Sequence, residues 1–267
     1  MKRLAKRIYR FFKQRSKSYL ENPVLVYQMG KVASSSICDS LKATPGVNAF
    51  HAHRLNPENI ERVKQEYLAR GVQPMDESRA LDLYERLIKP GRPAKVISLF
   101  REPIGRNISA YFQNLRVFEK DGNIHKRLDT EELINNFMRK YNHDVPLNWF
   151  DIEIKSTLGI DVYAQEFPRE LGYQTLSGGP YSLLLMRHDL DDLLKADLIR
   201  DFLGLDSFFI QRVNEGNTKE YASSYRKFLD TIRIPHAYAQ RMLQTRYARH
   251  FFTASELDKI ERHWTRA

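Results

Sequence analysis

The chain has 267 residues, a formal net charge of +10 and one cysteine, Cys38. Its 42% hydrophobic and 28% charged residues are typical of a globular protein and exclude global disorder. The longest purely apolar run, Leu183 to Met186, is far shorter than the roughly 18 residues that span a membrane. We therefore expect no transmembrane segment, and the basic N-terminus lacks the apolar run of a secretory signal peptide. A single cysteine excludes an intramolecular disulfide and a cysteine-rich metal site.

The positive charge is concentrated at the N-terminus. Residues 1–19 hold eight basic side chains and no acidic one, whereas the other 248 residues carry 35 basic and 33 acidic side chains. Such a nearly neutral body argues against a nucleic-acid partner. Apolar residues recur at helical spacing among these cations: Leu4, Ile8, Phe11 and Phe12. The arm, residues 1–22, is predicted to be a basic amphipathic helix that lies on an anionic membrane surface, and the alternative is a solvated terminal helix.

The remaining chain alternates between strand and helix patterns. Short apolar segments bounded by Pro and Gly predict strands over 24–27, 47–53, 95–100 and 181–186. Helices are predicted over 37–44, 57–70, 75–89, 103–115, 130–141, 189–203 with Asp189 as its cap, and most of 218–264. Residues 142–180 are mixed in composition. This alternation predicts an α/β fold with a mainly parallel central sheet flanked by helices, a helical C-terminus, and one domain over residues 23–267.

Two segments that follow predicted strands are suited to binding anions. The first, between the strand at 24–27 and the next helix, combines a cation with small and hydroxyl residues: Gly30, Lys31, Val32, Ala33, Ser34, Ser35 and Ser36. Loop amides and a helix N-terminus favour phosphate there, although a plain turn with a serine cap is the alternative. The segment lacks the G-x-x-x-x-G-K-[ST] pattern of a Walker A loop, which argues against ordinary ATP or GTP hydrolysis.

The second anion site follows the strand at 95–100. Arg101 stands at the carboxyl end of that strand, and Ser109 lies eight residues later on a helix that begins near Pro103. An arginine can bind a phosphate by two parallel hydrogen bonds, and a nearby serine can add another. The alternative is that Arg101 pairs with Glu102. Together the two segments indicate a ligand with two separate phosphate groups.

These two segments resemble the nucleotide-binding elements of sulfotransferases that use 3′-phosphoadenosine 5′-phosphosulfate. The stretches Asn148 to Asp151 and Gly159 to Tyr163 resemble bacterial sulfotransferase-like proteins of capsular polysaccharide synthesis, and Thr245 to Thr253 resembles carbohydrate sulfotransferases. The resemblance implies the P-loop-like sulfotransferase fold and transfer of a sulfuryl group to a carbohydrate hydroxyl. It also implies that residues 30–36 bind the phosphosulfate, with Lys31 stabilising the leaving phosphate, and that Arg101 and Ser109 bind the 3′-phosphate.

The base that accepts the acceptor's proton is expected among residues near the same sheet edge. His51 and His53 end the second predicted strand and share one face of it, and histidine titrates near neutrality. A His-x-His in this place resembles the uronyl 2-O-sulfotransferase branch, in which the second histidine is the base, so His53 is preferred and His51 is the support or substitute. Asp151 and Glu153 are the acidic alternatives, and the two histidines could instead be polar residues at a strand end with no role in catalysis.

Several weaker expectations complete the prediction. Arg106 could assist at the 3′-phosphate or lie on a helix face, Lys219 could close over the nucleotide, and Trp149 could line the acceptor cleft with Asp151 and Glu153. No metal is expected, because His-x-His lacks an obvious third ligand. We expect a cytoplasmic enzyme at the inner membrane face. A nucleotide-dependent phosphotransferase and a non-catalytic nucleotide-binding module at a membrane remain the alternatives.

Overall fold

A computed structural model describes residues 21–115, 117, 124–211 and 221–265. Residues 1–20 of the predicted N-terminal arm and Lys219 lie outside the described residues. The predictions made for them therefore stay predictions.

Five strands form one sheet in the order β2-β1-β3-β5-β4. The strands β2, β1, β3 and β5 run parallel, and β4 pairs with β5 in the antiparallel direction. The central strands are buried at almost every position, as expected in a parallel sheet that is covered on both faces. This arrangement confirms the prediction of an α/β fold with a mainly parallel sheet. The bounds are β1 Pro23–Tyr27, β2 Asn48–Ala52, β3 Ala94–Phe100, β4 Tyr173–Gly178 and β5 Tyr181–Arg187.

Helices connect these strands and form the C-terminal part of the chain. The first eight described helical segments are α1 Ser35–Ala43, α2 Pro57–Ala69, α3 Ser78–Leu83 with a π-helical turn Tyr84–Ile88, α4 Pro103–Gln113, α5 Ile124–Arg127, α6 Thr130–Lys140, α7 Val145–Trp149 with Phe150–Lys155 and Ser156–Leu158, and α8 Asp192–Leu203. The C-terminal helices are α9 Ala222–Thr231, α10 His236–Leu243, α11 Arg246–Phe251 and α12 Ala254–Thr265. Each described helix is too short or too polar to cross a lipid bilayer.

Three local features differ from the sequence-based expectations. Strand β4 and helix α7 lie in the segment 142–180, whose mixed composition predicted neither. Asp189 was expected to cap helix α8, but Asp191 does so by accepting a hydrogen bond from the Leu193 amide at 2.8 Å. Asp189 instead binds the Arg187 guanidinium, which stands on the last residue of β5.

Two apolar clusters hold these elements together. The larger one surrounds the sheet and includes Phe100, whose ring stacks on Phe251 of α11 at 4.3 Å between centroids. The second lies between α4, α6 and the C-terminal helices, with Phe112 and Phe228 in edge-to-face contact at 5.0 Å. Helix α4 therefore has a fixed position between the sheet and the C-terminal helices, and this position matters for the site described next.

Candidate active site

The candidate site lies at the edge of the sheet where β2, β1 and β3 end. These strands are parallel neighbours, so their carboxyl ends meet. His53 directly follows β2, the segment 28–34 follows β1, and Arg101 follows β3. Open α/β sheets bind ligands at such an edge.

The loop after β1 has a backbone shape that suits an anion. Lys31 and Ala33 have backbone φ angles of +75° and +60°, which residues other than glycine rarely adopt. Ser34, directly after Ala33, has the right-handed conformation, with φ −89° and ψ −13°. Successive residues of opposite hand turn their amide groups toward one concave side, which is an anion-binding arrangement. Val32 is fully buried and anchors this loop in the core.

Ser34 stands at the cap position of α1, but its hydroxyl does not cap the helix. The hydroxyl Oγ instead lies 3.3 Å from Nε2 of His51, and the side-chain amide of Gln28 lies 3.0 Å from the same nitrogen. Burial lowers the pKa of His51 to about 4, so the ring is neutral at pH 7. The amide is a donor, and Nε2 of His51 is therefore an acceptor that already has partners. Nε2 of His51 therefore faces Gln28 and Ser34.

His53 differs from His51 in the surroundings of Nε2, for which the described residues supply no hydrogen-bond partner. Its Nδ1 lies 3.0 Å from the backbone carbonyl of Gln28, and a carbonyl can only accept, so Nδ1 carries the proton. In the neutral ring Nε2 then has a free lone pair. A methyl group added at Gly30 would lie 3.9 Å from this nitrogen, which places Nε2 beside the loop that follows β1. Crowding by protein atoms, with the charges of Arg54 and Arg106, lowers the pKa of His53, although part of its ring is exposed to the cleft.

The neighbourhood of Arg101 decides between the two roles considered for it. Glu102 caps helix α4, because its carboxylate accepts from the amides of Ile104 at 2.8 Å and Gly105 at 2.6 Å. Burial raises the pKa of Glu102 and the nearby charge of Arg101 opposes this shift, but the Arg101 guanidinium has no hydrogen-bond partner among the described residues. A side chain at Gly105 would collide with Glu102 and meet Nη2 of Arg101 at 3.1 Å. This arginine is therefore available at the sheet edge.

The other residues of the two predicted anion sites differ in their exposure. Lys31, Ser36 and Ser109 are half-buried, and Ser35 and Ala33 are exposed. Arg106 on α4 connects the two segments, since its Nε donates to the carbonyl of Gly30 at 3.1 Å. The sequence predicted that Arg106 either assists in binding the 3′-phosphate or lies on a helix face. Its contact with the loop after β1 was not predicted.

Trp149 lies between the core and a cleft. Its indole is only 5% exposed, packs edge-on against Tyr27, and donates from Nε1 to the carbonyl of His53 at 3.0 Å. Its edge contributes to the cleft wall next to His53. A buried ring offers no open face to a sugar, so Trp149 acts here by holding the backbone of His53.

Neither acidic alternative reaches the cleft. Asp151 forms an ion pair with Arg246, whose guanidinium lies 4.0 Å above the ring of Tyr163. Glu153 is fully buried and accepts hydrogen bonds from the hydroxyl of Tyr27, the side-chain amide of Asn59, and the backbone amides of residues 55 and 56 at 2.9 and 3.1 Å. Burial raises its pKa. The expectation that Glu153 contacts the substrate is therefore not supported by its position, because protein donors already surround the carboxylate.

Comparison with known proteins relates the second half of the chain to one family. Residues 122–253 match the family model NKWYS, described as "Putative capsular polysaccharide synthesis protein". The match covers just under half of the chain and includes Trp149 and Asp151. It agrees with the resemblance noted for residues 148–151 and 159–163. No curated protein and no solved structure matches the chain.

Sequence reasoning missed the buried Gln28, which contacts both histidines. Its side-chain amide contacts Nε2 of His51, and its backbone carbonyl contacts Nδ1 of His53. A glutamine directly after an apolar strand is the signal that could have indicated it. Within the described part of the chain, no three His, Cys, Asp or Glu side chains cluster as a metal site would require.

The low pKa of His51 predicts a measurable dependence of stability on pH. The unfolded chain protonates this ring below pH 6.5, whereas the folded ring stays neutral down to about pH 4. The folded protein should therefore lose stability as the pH falls through this interval, by about 1.4 kcal/mol per pH unit for the one proton involved. Urea unfolding of wild type and His51→Gln at pH 7, 6 and 5 measures this contribution, because the variant lacks it. A stability difference between the two proteins that does not change with pH would contradict the prediction.

Proposed function

We propose that this protein transfers a sulfuryl group from 3′-phosphoadenosine 5′-phosphosulfate to a hydroxyl of a carbohydrate. One observation carries the proposal. Two segments whose residues suit anion binding follow adjacent parallel strands, and His53 presents beside the first of them a ring nitrogen to which no described residue is bonded. The family match supports a saccharide as the acceptor.

Each element fits one part of such a donor. The concave backbone at residues 31–34, with Lys31 and the serine hydroxyls, suits the phosphosulfate end. Arg101 has free guanidinium donors at the end of β3 and suits the 3′-phosphate, with Ser109 on the following helix. The loop lacks the lysine and hydroxyl pattern that positions Mg²⁺ and a γ-phosphate in Walker A proteins, which favours this donor over ATP.

The proposed reaction requires one proton transfer and stabilisation of the leaving phosphate. His53 accepts the acceptor's proton at Nε2 while the acceptor oxygen forms a bond to sulfur. The bond between sulfur and the bridging phosphate oxygen breaks, and its electron pair leaves with adenosine 3′,5′-bisphosphate. Lys31 and the loop amides stabilise the negative charge that develops on that phosphate. His51 holds Ser34 in place through the 3.3 Å contact.

Binding of the nucleotide product tests the donor. In calorimetry without metal, the wild type should bind adenosine 3′,5′-bisphosphate with micromolar affinity and prefer it to ADP and ATP. Arg101→Ala should weaken this binding by about 10- to 100-fold, because a hydrogen bond to a charged group contributes about 1.5–3 kcal/mol. Arg92→Ala is the matched control, since Arg92 is an exposed arginine in the turn before β3, and it should bind as wild type does.

Other outcomes would favour the alternatives. A preference for ATP that requires Mg²⁺ would overturn the donor assignment and support a phosphotransferase. Tight binding of the bisphosphate without transfer to any member of a broad saccharide panel would support a nucleotide-binding module that performs no transfer.

A further inference from the structure

His188 lies beside Arg101 at the edge of the sheet. It directly follows β5, the parallel neighbour of β3, and its backbone amide donates to the carbonyl of Phe100 at 2.9 Å. The backbone of His188 is therefore hydrogen-bonded to the residue that precedes Arg101. Because both residues stand at the carboxyl ends of adjacent parallel strands, they share the edge at which open α/β sheets bind ligands.

The imidazole ring of His188 has no hydrogen-bond partner among the residues that the structure describes. The carboxylate of Asp189 lies 3.9 Å from Nδ1, which is beyond hydrogen-bond distance. Asp189 instead binds the guanidinium of Arg187 at 3.0 and 2.9 Å, and that guanidinium also pairs with Glu256 of α12. The side chain of His188 is 24% exposed, so a ligand at this edge can reach the ring.

Two cations from other elements of the fold act on this ring. Lys195 on α8 donates to the backbone carbonyl of His188 at 3.0 Å and forms an ion pair with Asp192 at 2.7 Å. The guanidinium of Arg101 has no hydrogen-bond partner in the described part of the chain. Burial lowers the pKa of His188, the charge of Arg101 lowers it further, and the charge of Asp189 opposes this shift. The ring is therefore neutral at pH 7.

A phosphate group bound by Arg101 would change the charge of this ring. A phosphate monoester has a second pKa of about 6, so it carries nearly two negative charges at pH 7. An opposite charge within about 4–6 Å favours the charged form of a titrating group, and the phosphate oxygens also accept hydrogen bonds from it. The site would then hold one permanent cation and one histidine whose protonation depends on the phosphate.

We propose that His188 binds the same phosphate group as Arg101, and that it does so as an imidazolium that takes its proton from the solvent when the phosphate binds. Arg101 donates from its guanidinium and His188 from a ring N–H. The inference rests on the proposed function for the identity of this group as the 3′-phosphate of the donor. Its own content is a further ligand residue and an uptake of one proton, which the proposed function does not require.

Calorimetry on the full chain without metal tests the contact. The probes are adenosine 3′,5′-bisphosphate and AMP, which lacks the 3′-phosphate. His188→Ala should weaken binding of the bisphosphate by about ten-fold or more, because it removes a hydrogen bond between charged groups, and should change the affinity for AMP by less than about two-fold. His236→Ala is the matched control, since that side chain is 74% exposed on α10, and it should bind both nucleotides as the wild type does.

Proton uptake supplies a readout that a merely structural role would not move. Titration of the bisphosphate at pH 6, in two buffers with different ionisation enthalpies, measures how many protons are exchanged on binding. His188→Gln keeps an N–H donor but does not titrate, so it should take up fewer protons than the wild type, by up to one. The exchange that comes from the phosphate itself is common to both proteins. The affinity of the wild type should also rise relative to that of His188→Gln as the pH falls from 8 to 6.

An unchanged bisphosphate affinity in His188→Ala would overturn the inference, as would an equal loss for AMP or an equal proton exchange in wild type and His188→Gln. If Arg101→Ala alone lost the bisphosphate, the inference would fail and the proposed function would stand. A wild type that binds ATP rather than the bisphosphate, with weaker ATP binding in both Arg101→Ala and His188→Ala, would refute the proposed donor and retain the shared phosphate site. Binding of neither nucleotide would refute both.

Discussion

Replacing His53 with alanine should lower turnover by about 10²- to 10⁴-fold, which is the usual contribution of a general base. The expectation depends on the tautomer, because the carbonyl of Gln28 accepts from Nδ1 at 3.0 Å and leaves the lone pair on Nε2. The lowered pKa of the ring keeps it neutral at pH 7. The affinity for adenosine 3′,5′-bisphosphate should change little, since the proposed donor site consists of other residues. Transfer of labelled sulfuryl group to the saccharide panel measures the turnover, and calorimetry measures the affinity.

The pH profile gives this experiment a second readout. A base is active when it is deprotonated, so the rate should fall only below the lowered pKa of His53, at a pH under the ordinary value of 6.5. His236→Ala is the control, because that side chain is 74% exposed and lies on α10 away from the cleft. Unchanged turnover in His53→Ala, or a loss of the same size in His236→Ala, would remove His53 as the base.

Replacing Glu153 with alanine should destabilise the fold by about 3 kcal/mol or more, since removal of one partner from a buried charged network leaves its donors unsatisfied. The carboxylate accepts from Tyr27 at the end of β1, from Asn59 on α2, and from two backbone amides just beyond His53. It therefore joins the helical segment after Trp149 to the end of β1, to α2 and to the segment that follows β2. For a chain of this size we expect the melting temperature to fall by roughly 6–12 °C.

Two further variants control this prediction. Glu153→Gln has the same shape and keeps one oxygen acceptor, so it should lose less stability than the alanine variant and remain measurable if the latter does not fold. Glu58→Ala removes an exposed glutamate from α2 and should stay within about 0.5 kcal/mol of wild type. Urea unfolding measures all three, and a Glu153→Ala protein as stable as Glu58→Ala would contradict the role assigned to the buried carboxylate.

The strands of the central sheet were predictable because they are short, apolar and bounded by Pro or Gly. The observed β3, Ala94–Phe100, extends its prediction by one residue. Strand β4 was not predictable in the same way. Its buried and exposed residues do not alternate regularly along the strand. Its extended conformation depends on pairing with β5, for example at Leu176 opposite Leu183. An edge strand of this kind depends on its neighbour rather than on its own pattern.

The sequence by itself determined the α/β class and the residue types at the ends of the strands. Those properties can be read from residues that are close together in the sequence, because they depend on hydrophobic periodicity and on the residue types at the strand ends. Only the tertiary structure separated residues that the sequence treated alike. His51 is held by Gln28 and Ser34, whereas His53 keeps a free nitrogen beside Gly30.

The same distinction applies to the acidic and basic candidates. Glu153 is buried among donors that come from segments about 100 residues away in the chain, and no local pattern encodes such contacts. The cleft next to His53 likewise gathers arginines from the segment after β2, from α2 and from α4. Protonation state and charge depend on burial and on partners in space. The sequence therefore indicated which groups could take part, and the packing of distant segments decided what each group contacts.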